Sequence, residues 1–187
     1  REIPEIEPET SFDFNYDQAT FLKNHGEVQK IDELSVDNDF FKIFDFNFIA
    51  GNPTAAFQTD HSMVLTKNGA KNLFGEIPPL GTKIISTRSI TYTVTGIIND
   101  LPSNIFFKGE VFINHGPNKE VLNYNSYNSG VSFILLGKKN KIQEVKRKLK
   151  GLYRKYEFSD ATVDFLPVKD IHLHSTGFQD IPKNFKI

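Results

Sequence analysis

Five of the nine residues from 40 to 48 are phenylalanine (Phe40, Phe41, Phe44, Phe46 and Phe48), and Phe106, Phe107 and Phe112 form a second cluster. A phenyl ring has no polar handle and buries on the order of 150–250 Å². Rings so closely spaced cannot all be spread over a solvated surface, so the chain has to fold around them. They are read as a core rather than as a box for a ligand. The 187 residues are enough to bury such a core, as one domain or as two small lobes sharing a chain.

The remaining composition mainly excludes. Twenty-two basic and 23 acidic residues leave a formal charge of -1, which gives no field to draw in nucleic acid or an anionic membrane, so nucleic acid is not expected as a partner. Cysteine is absent, which removes a disulfide framework, a thiolate zinc site and a cysteine nucleophile together, while leaving the compartment open. No apolar run of about eighteen residues and no secretion signal occurs, so the chain reads as soluble. It opens abruptly at Arg1-Glu-Ile-Pro and stops at Asn184-Phe-Lys-Ile187, as a piece of something longer does.

Along the chain, residues 6–36 alternate weakly around Asn24-His-Gly26, which predicts two strands joined by a loop, the second running through Ile31 and Glu33 toward Val36. Asp37, Asn38 or Asp39 can cap a short helix over 40–44 that puts Phe40, Ile43 and Phe44 on one side, with Gly51-Asn-Pro53 ending the unit. Ser62-Met-Val-Leu-Thr66 is strand-like, and Thr66 can cap a helix to about Phe74 that buries Ala70, Leu73 and Phe74 and stops at Gly75. Ile90, Tyr92 and Val94 alternate with Thr91, Thr93 and Thr95, a strand with a bulge expected at Gly96. Residues 106–113 are another strand candidate, followed by an Asn-rich loop over 115–130. Val131-Ser-Phe-Ile-Leu-Leu136 has the form of a strand buried on both faces. A helix over 140–156 follows from the stripe Ile142, Val145, Leu149, Leu152, Tyr153 and Tyr156, and 161–168 returns as a strand. Strand, helix, strand over 131–168 fits a right-handed crossover, with a split antiparallel arrangement as the alternative.

Chemistry is thinly represented. Asp170, His172 and His174 alternate, so they could share one face of a strand as metal ligands, but no Glu-x-x-His or helical His pair accompanies them. Asp60-His61, His25 and His115 are the other acid-base candidates. Gly-x-Ser-x-Gly, a phosphate loop and His-Glu-x-x-His are all missing. The sequence therefore assigns no catalytic, cofactor-binding or metal residue and no cofactor, and an enzyme is disfavoured. Lys138, Lys139, Lys141, Lys146, Arg147, Lys148, Lys150, Arg154 and Lys155 flank and stud the helix over 140–156. A solvated face opposite the apolar stripe accounts for them; contact with anionic headgroups, at about 1 kcal/mol per cation, is the functional reading.

Several segments resemble, in order, the periplasmic core domain of MacB-type, FtsX-like ABC transporter permeases. They are Val36-Asp-Asn-Asp-Phe-Phe-Lys-Ile-Phe, Phe48-Ile-Ala-Gly-Asn-Pro53, Val64-Leu-Thr66 with Ala70-Lys-Asn-Leu-Phe-Gly75, Tyr92-Thr-Val-Thr-Gly-Ile-Ile-Asn-Asp-Leu-Pro102, and Leu166-Pro-Val-Lys-Asp-Ile-His-Leu-His-Ser175. The resemblance implies an α+β (mixed α/β) fold in two lobes. A porter-like βαβ lobe is expected over residues 1–30 and 126–187, lacking the family's N-terminal strand and helix, with a sabre-like mixed lobe inserted at 31–125. It also implies a non-catalytic periplasmic domain of an inner-membrane protein that transmits ATP-driven motion to substrate export or partner proteins. The partners implied are its own transmembrane helices, a cytoplasmic ATPase domain or subunit and a periplasmic adaptor, with a homodimer in the full-length protein. The rival readings are a secreted module binding a peptide or glycan through Tyr124 and Tyr127, and a metal-dependent enzyme centred on His172 and His174.

Overall fold

The structure is a computed structural model that describes residues 6–12, 17–23, 26–103, 105, 107–114, 131–136, 142–155 and 165–168. The elements in order are β1 (Ile6–Phe12), β2 (Asp17–Leu22), β3 (Val28–Ser35), α1 (Phe40–Ile43), β4 (Phe48–Gly51), β5 (Ser62–Thr66), α2 (Lys67–Phe74), β6 (Lys83–Ser86), β7 (Thr91–Ile98), β8 (Val111–Ile113), β9 (Val131–Leu136) and α3 (Ile142–Lys155). The mixed α+β class expected from the sequence is the one observed, with strands dominating.

Six of the strands close into a ring. β2 and β3 form an antiparallel hairpin from Asp17↔Glu33 to Leu22↔Val28. β3 runs parallel to β8, β8 antiparallel to β5, β5 parallel to β7, and β7 antiparallel to β6. β6 then pairs antiparallel with β2 through Phe21↔Ser86 and Leu22↔Ile85, which completes the circuit. β4 pairs antiparallel with the part of β7, residues 96–98, that β6 leaves open. A ring this small has no room for a channel and is filled by side chains. Phe21, Ile31, Met63, Leu65, Val94 and Ile113 pack there, and Ala70 and Leu73 of α2 join the same cluster.

α2 is set by its ends. The Thr66 hydroxyl accepts the Gly69 amide at 3.0 Å, and Gly75 closes the helix with φ +78, its amide donating to the Lys71 carbonyl. These are the start and stop read from the sequence, and Ala70 and Leu73 are buried as expected, with Phe74 partly so.

The phenylalanines form a second core on the outside of the ring. The Phe40 centroid lies 5.0–5.8 Å from those of Phe41, Phe44, Phe46, Phe107 and Phe112. Phe41 in turn meets Phe48 and Phe57 at 5.1 and 5.2 Å. The single turn of α1 buries Phe40 and Phe41, not the Phe40, Ile43, Phe44 face that helical spacing predicts. The helix stops at Ile43 and Phe44 is extended, so Phe44 and Phe46 reach the cluster along straightened chain. Of the three capping candidates, Asp39 makes no side-chain cap, and Asp37 Oδ1 accepts the Asp39 amide at 2.9 Å as well as the Thr10 hydroxyl at 2.8 Å.

The bulge expected at Gly96 is present one residue earlier. Met63 and Val64 face Val94 and Gly96, so Thr95 is the extra residue. Gly96 fits tightly there, since a Cβ would lie 2.7 Å from Phe48 Cε1 and 3.2 Å from Val64 Cγ2 and one of those side chains would have to shift. β4 itself was not expected from the sequence.

The chain divides into two units. One comprises Thr10–Ser103 with Phe107–Phe133, the other Arg1–Glu9, Asn104–Phe106 and Ile134–Ile187. The first contains the ring. The β2–β3 hairpin lies wholly within the ring's unit. β1 and β9 form a two-stranded sheet. In the second unit the buried Val145 of α3 packs with Leu149 and Leu152, three members of the predicted stripe, and with Ile134 and Leu136 of β9. β9 is not buried on both faces: Leu135 is 50% exposed. Its partner among the described residues is β1, and 165–167 take no strand conformation, so the expected pairing of 131–136 with 161–166 is not seen among them.

Candidate functional site

At the end of the ring where β3 finishes and β7 begins, a cleft of about 290 Å³ opens between the strands. Strand alternation places Ile31, Glu33 and Ser35 on one face of β3, and the last two line this cleft. Ser86 and Tyr92 line it from β6 and β7, Gln18 from β2, and Arg88 from the hairpin joining β6 to β7. Phe21 also lines it and meets the Tyr92 ring edge-on at 5.7 Å.

Tyr92 is almost fully buried. Burial raises its phenol pKa, the nearby Glu33 carboxylate adds to the rise, and the Arg88 guanidinium opposes it. At neutral pH the hydroxyl is therefore protonated. The His61 ring stands edge-on to Tyr92 at 5.7 Å. Its amide donates to the Asn114 carbonyl at 3.1 Å, and its own carbonyl accepts the Thr93 amide at 3.0 Å. His61 (φ +58) and Ser89 (φ +62) are the non-glycine residues with positive φ among the described residues, and both stand beside Tyr92, one by ring contact and one in the hairpin before it.

The opposite end of the ring carries negative charge around the start of α2. Asp100 Oδ1 accepts the Asn68 amide at 2.7 Å, which suits the positive end of the helix. Glu110 Oε1 accepts from Asn72 Nδ2 at 2.8 Å. Burial raises the Glu110 pKa, with Asp32 and Asp100 adding and the Asn72 hydrogen bond opposing.

The residues singled out from sequence fare unevenly. His61 is the one histidine of the acid-base candidates within the described residues, and it serves as a backbone staple and ring contact. His25, His115, Asp170, His172, His174, Tyr124 and Tyr127 lie outside the described residues. Among the described residues no group of three or more His, Cys, Asp or Glu is placed to hold a metal, and no helix is long and apolar enough to cross a membrane. On α3, Lys148 pairs with Glu144 at 3.4 Å and Lys146 lies 5.9 Å from the Phe165 ring centre, while Arg147, Lys150 and Arg154 face solvent, as a solvated side would. The Glu33, Arg88 and Tyr92 grouping was not visible in sequence, because only the strand register brings those positions together.

The model of the MacB-like periplasmic core domain matches residues 2–152. A domain of a candidate permease protein from Porphyromonas gingivalis has a similar fold, at 18% identity and TM-score 0.67 over 83% of this chain and 72% of that one. The extracellular domain of the noncanonic ABC-type transporter YknZ from Gram-positive bacteria aligns at 14% identity and TM-score 0.56, covering 83% and 79%. The periplasmic region of MacB from Actinobacillus actinomycetemcomitans aligns at 11% identity and TM-score 0.56, covering 83% and 70%. No curated protein matches. At these identities the structures show the fold, and the family match carries the assignment: the chain belongs to the MacB-like periplasmic core domain family, as a periplasmic domain of an ABC transporter permease.

Proposed function

We propose that this domain is a non-catalytic mechanical element, carrying conformational change driven by cytoplasmic ATP hydrolysis outward to substrate export or to partner proteins. The observation that supports the reading best is the closed ring, filled inside and covered outside over β8 by a second core. Its interior is filled from Phe21 to Ile113, and the outer face of β8 lies beneath the phenylalanine cluster around Phe40. A closed body with a filled interior resists internal deformation, and an element that yields would dissipate a displacement rather than pass it on. On this reading the ring's unit plays the sabre-like part and the unit holding α3 the porter-like part. The transmembrane and ATPase parts of the transporter are the partners that the family implies. A periplasmic adaptor and a homodimer of the full-length permease extend the proposal.

This chain holds no cysteine of its own, so labels can be placed in it once any cysteine elsewhere in the full-length permease has been replaced. Spin labels at Leu80→Cys and Lys150→Cys report between the two units, and labels at Leu80→Cys and Ile49→Cys report within the ring's unit. In full-length permease in nanodiscs, the first distance is expected to change between nucleotide-free and ATP-trapped states while the second stays fixed. A first distance that ignores nucleotide, or a second that changes with it, would remove the proposal.

A further inference from the structure

We infer that the outer face of the ring at the β2–β3 hairpin docks an acidic amphipathic helix of a partner protein. The helix sets its aliphatic side chains on Leu22, Val28 and Ile85 and its carboxylates toward Lys23, Lys30 and Lys83. This stands apart from the force-transmission reading, since a strut needs no such contact, and either can fail without the other.

Strand register makes the surface. Leu22 stands opposite Val28 of β3 and opposite Ile85 of β6, so the three side chains lie in one row on one face. Phe21 and Ile84, their neighbours in sequence, are buried inside the ring, so the row points outward. Its members are 41% (Leu22), 56% (Val28) and 48% (Ile85) exposed. A lone exposed aliphatic is ordinary, but here the row runs into a concavity. A groove of about 570 Å³ opens between the end of α2 and strands β2 and β6. Leu22 and Ile85 line it together with Leu73 and Phe74 of α2. One wall is fixed in advance, because Lys23 N donates to the Glu27 carbonyl at 2.8 Å and Gly26 N to the Lys23 carbonyl at 2.9 Å.

Charge and topology select the occupant. Lys23, Lys83 and Glu27 are the charged residues lining the groove. Lys30 lies two residues along β3 on one side of the row and Lys83 two residues along β6 on the other, both exposed. Among the described residues none of these three lysines is held in an ion pair. An acidic partner is therefore complementary, and a second copy of the same face would bring like charges together. At the row β2 and β6 are each paired on both sides, so no open edge there accepts an added strand. A helix laid across the strands fits instead: three strands about 4.8 Å apart make a row of about 10 Å, the rise of two helical turns. The groove is concave, which suits a protruding side chain better than a flat bilayer.

The test is a titration of the isotope-labelled 187-residue chain with a twelve-residue peptide, stapled as a helix, that carries leucine on one face and glutamate on the other. Amide chemical shifts are followed. A peptide with lysine for glutamate, a peptide with alanine for leucine, and phosphatidylglycerol vesicles are the comparison arms. Saturable shifts centred on Leu22, Val28, Phe74 and Ile85 are expected for the acidic leucine peptide alone, with a Kd on the order of 0.1 mM. Ile85→Ser and Lys83→Glu should each weaken it about tenfold. Both positions are exposed, so the fold does not depend on either side chain. No saturable shift, equal binding of either comparison peptide, a response to the vesicles in place of the peptide, or an unchanged Kd in either variant would overturn the inference.

Discussion

The Thr95 hydroxyl donates to the Met63 carbonyl at 3.0 Å, from the one residue by which β7 exceeds β5 at their bulge. The bond ties the extra residue to the neighbouring strand. Replacing Thr95 with Val keeps the shape and removes the donor. A loss of about 1 kcal/mol in urea unfolding is expected, the usual net value of one such bond.

Two glycines in helices should respond to alanine with opposite signs. A Cβ on Gly151 of α3 meets nothing within 4 Å, so Gly151→Ala should stabilise by roughly 0.5–1 kcal/mol through helix propensity. A Cβ on Gly69 of α2 would lie 2.4 Å from the Glu110 carbonyl oxygen, a backbone atom that cannot swing aside. Gly69→Ala should therefore cost on the order of 1–3 kcal/mol despite the same propensity gain. Unfolding midpoints of the two variants give the comparison.

Phe40 is the hub of the outer core, fully buried and in ring contact with Phe41, Phe44, Phe46, Phe107 and Phe112 among the described residues. Phe40→Ala should cost about 3–5 kcal/mol, and Phe40→Leu distinctly less, because it keeps part of the volume. Chemical denaturation ranks the two. An equal and small loss in both would mean that the cluster is not packed as described.

Glu110 makes stability depend on pH in the less common direction. Its folded-state pKa lies above the unfolded value, so between the two values the folded state binds more protons, and stability falls as pH rises through that window. Glu110→Gln retains an oxygen for Asn72 and cannot ionise. Its stability relative to the parent should rise between about pH 4 and neutrality and then level off. Thermal melts of both proteins across that range check the sign.

Legibility in the sequence followed the range of the determining interactions. α2 was readable at both ends because Thr66 and Gly75 act within one turn of themselves. The strand at Tyr92 and Val94 was readable from its own alternation, and α3 from its stripe. The face of α1 was not, because Phe44 leaves the helix and the outer core decides where each ring goes. β4 was hidden because a four-residue strand gives too little pattern, and the phenylalanines around it serve packing. Ring closure was hidden because it depends on β8 entering between β3 and β5. The mouth of the ring could not be assembled without that circuit, and the β6 strand and hairpin that carry Ser86 and Arg88 gave no local sign of their form. The family resemblance supplied the mixed fold class and the family, and not the ring closure.

Order of manufacture follows from the place of β8. A chain made from its N-terminus offers β3 and β5 well before residues 111–113 exist, and until then each of those strands carries a raw edge where the missing rung belongs. A translation stall or a truncation before Val111 would therefore leave an unsealed sheet rather than a smaller barrel. In a domain that matures beyond a membrane, that interval is when proteases and aggregation compete with completion.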